Sequence, residues 1–368
     1  MTRHAHERSR RRTVGIAVVV ALVLVVVLPA AWLGVRARQA SSTASSLSAT
    51  ADQVKADANA LDLAAVAHDI TTLQDQASSL HQITSDPLWG MATGLPVVGA
   101  RASAARQVGS VANSLASAAT PLSQLLPRFD KDAIAASGGR IDVAAVAALG
   151  PVLTTLATSA STATHDLADI DPAGLSAAQA DEIARLRTAL ADAEKPLRAA
   201  AAAVPLVAHL LGSTGPRTWF VALENLAEAR GTGGLVGAYA VLRTDAGKVT
   251  LVEASPRKTL DAGPTIPDQN LPTDFQQMWG ADATEWAGLN LSPHFPYTAQ
   301  LVIDGWKARG GAPLDGVIAL DQTVVAALLA GTGPITVRGV TVDSASAVKF
   351  LTEDIYARFP VVADKDAV

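Results

Sequence analysis

Between Val14 and Val35 the chain carries 22 consecutive residues without a charge, dense in Val, Leu, Ala and Ile. A helix over that run reaches roughly 33 Å, enough to cross a hydrocarbon layer roughly 30 Å thick. Pro29 falls near its end, where a kink is tolerated, and Trp32 stands at an interfacial position. Arg3, Arg8, Arg10, Arg11 and Arg12 precede the run, and only Arg36 and Arg38 follow closely. That bias predicts a cytoplasmic tail over 1–13, a single membrane-spanning helix over 14–35, and a body outside the cytoplasm. A cleaved secretory signal is the alternative, but its apolar core spans only about 7–15 residues. In both cases the body is exported.

The charges divide in the same sense. The first 38 residues hold seven Arg against one Glu, leaving the body a net charge of −11 out of the chain's 29 basic and 34 acidic residues. An acidic exported body argues against nucleic acid as a partner. There is no cysteine, which excludes disulfides, thiolate catalysis and Cys-ligated metal. A body of this size buries enough core without such staples.

Two textures follow the anchor. Residues 41–211 are rich in Ala, Ser, Leu and Asp, and Val66, Ile70, Leu73, Ala77 and Leu80 step at helical spacing. Ile183, Leu186, Leu190, Ala193 and Leu197 form a second seam, which Ser176 and Gln179 open as a capping box. The pattern predicts about four helices, near 41–84, 100–126, 141–168 and 176–210. Their small Ala and Ser seams suit a packed bundle or stalk, serving either as a plain spacer or as a partner-binding coiled coil. From Arg217 the runs Thr218–Glu224, Ala238–Thr244 and Lys248–Ala254 read as strands, with a turn at Asp245-Ala246-Gly247-Lys248. Residues 261–297 lack clear periodicity. Helices are expected near 297–309, 323–330 and 344–359, with strands at Gly316–Leu320 and Ile335–Val337. The whole reads as an α+β multidomain protein whose 217–368 region is an α/β domain with a mixed sheet. No closing strand follows the last helix, so that domain is expected to be truncated at its C-terminus.

Four segments carry polar groups that could hold a ligand. Glu224, Asn225, Glu228 and Arg230 lead into Gly231-Thr232-Gly233-Gly234, where free N–H groups could face an anion. The plain alternative is a glycine-rich hairpin turn. Ser255-Pro256-Arg257-Lys258-Thr259 could clamp a phosphate or carboxylate, or be a solvated loop. Asn290 and Ser292 begin a turn-rich segment through Pro296 that is either site or rigid loop. Asp315 and Asp321 bracket an apolar strand, where a metal or simple capping would suit them. No Gly-x-Ser-x-Gly elbow and no His-Glu-x-x-His helix occurs. Neither a cofactor nor a metal is expected.

These residues carry a resemblance. The pattern from Glu224 to Gly234, then Asn290-x-Ser292-Pro293-x-Phe295-Pro296, Asp315 to Asp321 and Gly331-Thr332-Gly333-Pro334, resembles a domain-of-unknown-function family. That family comprises membrane-anchored envelope proteins of high-GC Gram-positive bacteria. Asp86-Pro87-Leu88-Trp89 and Leu95 to Gly99 also fit it. More distantly, the order of parts is similar to the LytR-CpsA-Psr phosphotransferases, which transfer wall polymers from polyprenyl-pyrophosphate carriers. Arg230-Gly231-Thr232 and Ser255 to Thr259 stand where those enzymes carry two motifs, but Gly231 and Lys258 replace their acids. The resemblance thus implies binding more than phosphoryl transfer.

Three readings result. In the first, Arg230 and Arg257 converge across adjacent strands and bind an anionic, lipid-linked glycan. In the second, Glu224, Glu228, Asp315 or Asp321 support glycopolymer transfer. In the third, the outer domain is a structural or protein-interaction module of the envelope.

Overall fold

The computed structural model describes residues 32–96, 98–267 and 271–359. The tail, and the anchor up to residue 31, lie outside the described residues. The protein is mostly helical, with a mixed sheet of four strands in its C-terminal region. It divides into two compact units. One comprises the chain up to Asp130 together with Ala148–Val204; the other comprises Lys131–Ala147 and the chain from Pro205 onward.

In the first unit, residues 32–59 (α1) are helical, followed by α2 (Leu63–Ser85), α3 (Pro87–Ala92) and α4 (Gly99–Leu125). The single helix expected over 41–84 is therefore two. Asp62 caps α2 by accepting from the Ala65 N–H at 2.9 Å, and Leu61 before it takes a left-handed φ of 56°. A local side-chain acceptor ends one helix and starts the next ahead of the Val66 seam. Val66, Ile70, Ala77 and Leu80 are buried along the expected seam. After a 3₁₀ turn (Leu126–Phe129) come α5 (Lys131–Ala136), which belongs to the second unit, and then α6 (Val143–Ala168) and α7 (Ala177–Leu210), most of whose residues belong to the first. Ile183, Leu186 and Leu190 of α7 pack against buried Val111, Ala163 and Leu167. The capping box forms: the Ser176 N–H donates to Gln179 Oε1 at 3.0 Å, and the Gln179 N–H donates to Ser176 Oγ at 3.3 Å.

Among the described residues α6 is the one helix long and apolar enough to cross a membrane. Its accessible face carries Thr154, Thr155, Thr158, His165 and Asp166, while Ala157, Ala160, Ala163 and Leu167 are buried. That partition is the pattern of a bundle helix.

In the second unit, β1 (Arg217–Arg230), β2 (Gly233–Asp245) and β3 (Lys248–Pro256) form an antiparallel meander, and β4 (Gly316–Leu320) joins β1 in parallel. The order is β3-β2-β1-β4. β1 and β2 run well past the expected limits, because Ala229 and Arg230 pair with Gly234 and Gly233 across the glycine hairpin. At the β2–β3 turn Ala246 and Gly247 both have positive φ, 45° and 85°, as a primed hairpin turn requires. A Cβ on Gly247 would meet the Ile141 carbonyl oxygen at 1.9 Å.

Between the sheet's third and fourth strands lie α8 (Lys258–Asp261), α9 (Thr273–Trp279), a 3₁₀ turn and α10 (Phe295–Ala308). Phe220, Tyr239 and Val241 of the sheet share one core with Leu260, Phe275, Trp286, Leu289, Leu301 and Val302. Phe220 stacks on Tyr239 with centroids 5.2 Å apart. After β4 come α11 (Gln322–Thr332) and a separate hairpin of β5 (Ile335–Val337) and β6 (Val340–Val342). β6 is an addition to the sequence reading. The helix expected over 344–359 forms over 347–358, as α12 (Ala347–Lys349), a π segment (Phe350–Asp354) and α13 (Ile355–Arg358) in unbroken succession.

Candidate functional site

The densest buried polar cluster lies where the β1–β2 hairpin meets the loop before α10. Glu224 is buried beside a bulge in β1, and its Oε1 accepts from the Thr232 hydroxyl at 2.8 Å and from Asn290 Nδ2 at 3.3 Å. Asn290, fully buried, also donates to Thr232 Oγ1 at 3.1 Å and to the Gly234 carbonyl at 2.7 Å. Its own carbonyl accepts the Gly231 N–H at 3.0 Å. A Cβ at Gly231 would stand 2.2 Å from the Leu291 carbonyl oxygen. Gly231 is therefore a close-packing position that no acidic side chain could occupy, which removes one motif correspondence with the phosphotransferases. Ser292 is buried, and its hydroxyl accepts the His294 N–H at 3.2 Å.

On the same strand Asn225 holds a second network. Its Nδ2 donates to the Tyr356 hydroxyl at 2.6 Å, and its Oδ1 accepts from Gln322 Nε2 at 2.9 Å and the Ala227 N–H at 3.1 Å. Gln322 Oε1 in turn accepts the Leu226 N–H at 3.2 Å. These bonds supply partners to backbone that leaves the β1–β2 ladder between Asn225 and Ala229. Glu228 is exposed in that stretch.

The two candidate arginines are not side by side. Arg230 pairs with Gly233, whereas the Arg257 N–H bonds the Gly237 carbonyl at 3.0 Å. Four residues of strand separate those positions, about 13 Å. Arg257 Nη1 is held at 2.7 Å by both carboxylate oxygens of Asp261, and Lys258 is exposed. Arg230 Nη1 donates to the Ala229 carbonyl at 3.0 Å, and its Nε is buried with no hydrogen-bond partner among the described residues.

Asp315 and Asp321 lie at opposite ends of β4, about 16–20 Å of extended chain apart, too far to share an ion. Asp315 accepts from Arg217 Nη1 at 2.7 Å and from the Thr218 N–H at 2.8 Å. Burial acts to raise its pKa, but the Arg217 and Thr218 hydrogen bonds prevail and hold it below the usual range. Asp321 is the N-cap of α11, accepting from the Thr323 and Val324 N–H groups. The Thr323 hydroxyl first, and then those N–H groups, hold its carboxyl low against the effect of burial. Among the described residues no group of three or more His, Asp or Glu could hold a metal. Of the two alternatives the sequence left open for this pair, Asp321 takes the capping one, and Asp315 is ion-paired with Arg217.

Thr232, Gln322, Tyr356, Asp261 and Arg217 complete these arrangements, although their sequence context marks none of them as a site residue. Thr232 and Asp261 stand near residues that are so marked. Gln322 and Tyr356 reach Asn225 from 97 and 131 residues away, a distance over which no local signal operates.

The fold and its polar clusters define an α+β domain built on a three-stranded meander with one parallel strand. Residues 214–356 match the model of the family described as "Protein of unknown function (DUF4012)", and the chain is similar to that family over this span. No curated protein and no solved structure matches the chain.

Proposed function

We propose that the protein is a membrane-anchored, extracytoplasmic component of the cell envelope whose second unit holds another polypeptide along the β3 edge. The observation carrying this reading is the state of that edge. β3 ends the sheet, every residue from Lys248 to Ala254 is exposed, and Leu251 and Val252 are 60% and 61% accessible. An extended, apolar, exposed edge strand is a template for adding a further strand. Among the described residues only its first residue is bridged, by Arg140. Of the candidate carboxylates, Glu224 belongs to the Asn290 cluster, Asp315 is ion-paired and Asp321 caps α11, which leaves exposed Glu228 alone and favours holding a partner over turnover. The anchor rests on the apolar run and its arginine bias.

Because the chain lacks cysteine, a single introduced thiol is unique. The Leu251→Cys variant should react with a membrane-impermeant maleimide much more slowly in native membranes than after purification. The Thr336→Cys variant, altered on exposed β5, should react equally in both and from outside intact cells. Equal labelling of the Leu251→Cys variant in both preparations rejects the edge reading, and no external labelling of the Thr336→Cys variant rejects the topology.

The unpartnered Nε of Arg230 favours a second reading, in which the hairpin binds a polyprenyl-pyrophosphate-linked glycan. Arg230→Ala should then weaken binding of such an analogue by about 1.5–3 kcal/mol. Mg²⁺-dependent release of the carrier in the same assay would indicate glycopolymer transfer.

A further inference from the structure

Between α1 and α2 lies an open cavity of about 370 Å³, lined by Arg36, Gln39, Ser42, Thr43, Ser79, Gln82 and Ile83. This volume falls within the roughly 300–1,000 Å³ typical of small-ligand sites. One cation, three hydroxyls and two amides face it, and the carboxylate nearest that cation is Asp86, a long ion pair outside the lining. Arg36 is only loosely engaged by the protein. Its Nη1 lies 3.4 Å from Gln39 Oε1 and its Nη2 lies 3.7 Å from Asp86 Oδ2. A phosphate would instead take paired guanidinium donors at about 2.8 Å. Trp32 holds the guanidinium from one side, its ring centroid 5.0 Å from Arg36 Cζ.

We propose that this cavity binds the phosphate of an anionic ligand, with Arg36 as the paired donor and the Ser, Thr and Gln side chains receiving neighbouring hydroxyls. Resting on the anchor reading above, the source is a lipid headgroup of the outer leaflet. Arg36 directly follows the apolar run, and Thr43 stands about 10 Å further along α1. The headgroup layer on each side of a bilayer is about 5–8 Å deep. The Arg36 end of this wall therefore lies at headgroup level when α1 leaves the membrane, and Thr43 lies just beyond it.

The test uses the full chain in nanodiscs of phosphatidylcholine alone or mixed with phosphatidylglycerol, with bound lipid read by native mass spectrometry. The parent should retain phosphatidylglycerol, and Arg36→Ala should lower that retention roughly tenfold or more. Arg36→Lys should recover part of it, and Ser79→Ala should lower it without touching the charge. Arg38→Ala is the control, since Arg38 is exposed and does not line the cavity. Equal losses for Arg36→Ala and Arg38→Ala would reduce the effect to general surface attraction and overturn the site. Titration with inorganic phosphate in neutral nanodiscs separates the sources. Binding of free phosphate that Arg36→Ala abolishes, without lipid retention, supports the phosphate site and rejects the lipid source. A chain that does not insert into nanodiscs rejects the anchor, and phosphate titration of that soluble chain still decides the site. Absence of both lipid and phosphate binding overturns the proposal.

Discussion

The two units differ in what fills their cores: alanine predominates beside Ile70, Leu80, Trp89 and Leu167 in one, and aromatic and large aliphatic side chains predominate in the other. Ala67, Ala77, Ala102, Ala104, Ala157, Ala160 and Ala163 are buried in the helical unit, whereas Phe220, Tyr239, Trp286, Leu289 and Leu301 are buried in the sheet unit. Small residues let helix backbones approach closely, but each removes little apolar area from water. Stability in the helical unit is therefore spread over many weak contacts. In the sheet unit it is concentrated, because each aromatic side chain buries about 150–250 Å². The helical unit should thus be intolerant of added volume and the sheet unit intolerant of lost volume.

The largest effect should come from Phe220→Ala, which empties the centre of the aromatic cluster around Tyr239, Trp286 and Trp306. A loss of about 3–5 kcal/mol is expected, read by denaturant unfolding with tryptophan fluorescence. Helical signal should persist through that transition. If circular dichroism and fluorescence collapse together, the units do not have separate stabilities and the comparison breaks.

Asn290→Ala should cost about 1–3 kcal/mol, since it strips partners from buried Glu224 and the Gly234 carbonyl. Asn290→Asp should be worse than Ala, because it sets a second carboxyl against Glu224. If instead the Asp variant is the more stable of the two, the cluster is hydrated and the buried-clamp account fails.

Gly109→Ala sharpens the helical half of the contrast. A Cβ there would lie 2.5 Å from Thr84 Oγ1, a fully buried hydroxyl bonded to the Leu80 carbonyl at 2.9 Å. Overpacking should outweigh the helix-propensity gain of about 1 kcal/mol, leaving a net loss of about 1–2 kcal/mol. The double variant with Thr84→Ala should recover part of this, and strict additivity would show that the two residues are not in contact.

The smallest effect is the cap. Asp321→Ala should cost about 1 kcal/mol. The folded pKa of Asp321 is lowered, so its contribution is present above about pH 4 and is lost as the pH falls through the folded value. Asp321→Asn keeps a capping acceptor and should show a weaker acid dependence than the parent. Identical stability–pH curves between pH 2 and 5, roughly the carboxylate range, would remove Asp321 from the account.

Local signals are legible in the chain itself. The Ser176–Gln179 box, the α2 seam, the β2–β3 turn and the Gly316–Leu320 strand each depend on residues within a few positions of one another. The break at Leu61–Asp62 depends on equally local chemistry, yet no Gly or Pro marks it in the sequence. What local pattern cannot convey is where polar residues are consumed. Asp315 reads as a cap or a ligand until Arg217, 98 residues away, takes its oxygen. Arg257 reads as an anion clamp until one turn of helix brings Asp261 beneath it.

Sequence alone therefore determined the order of the long helices and of β1 to β5, the change of texture near Arg217, and an acidic body behind an apolar run, because periodicity and charge act over short spans. Tertiary structure decided the length of β1 and the fates of Glu224 and Asn225. A polar segment becomes strand only where a facing strand offers hydrogen bonds, as Gly233 and Gly234 do for Ala229 and Arg230. A buried carboxylate persists only where donors converge on it, and those for Glu224 come from Thr232 and from Asn290, 66 residues along the chain.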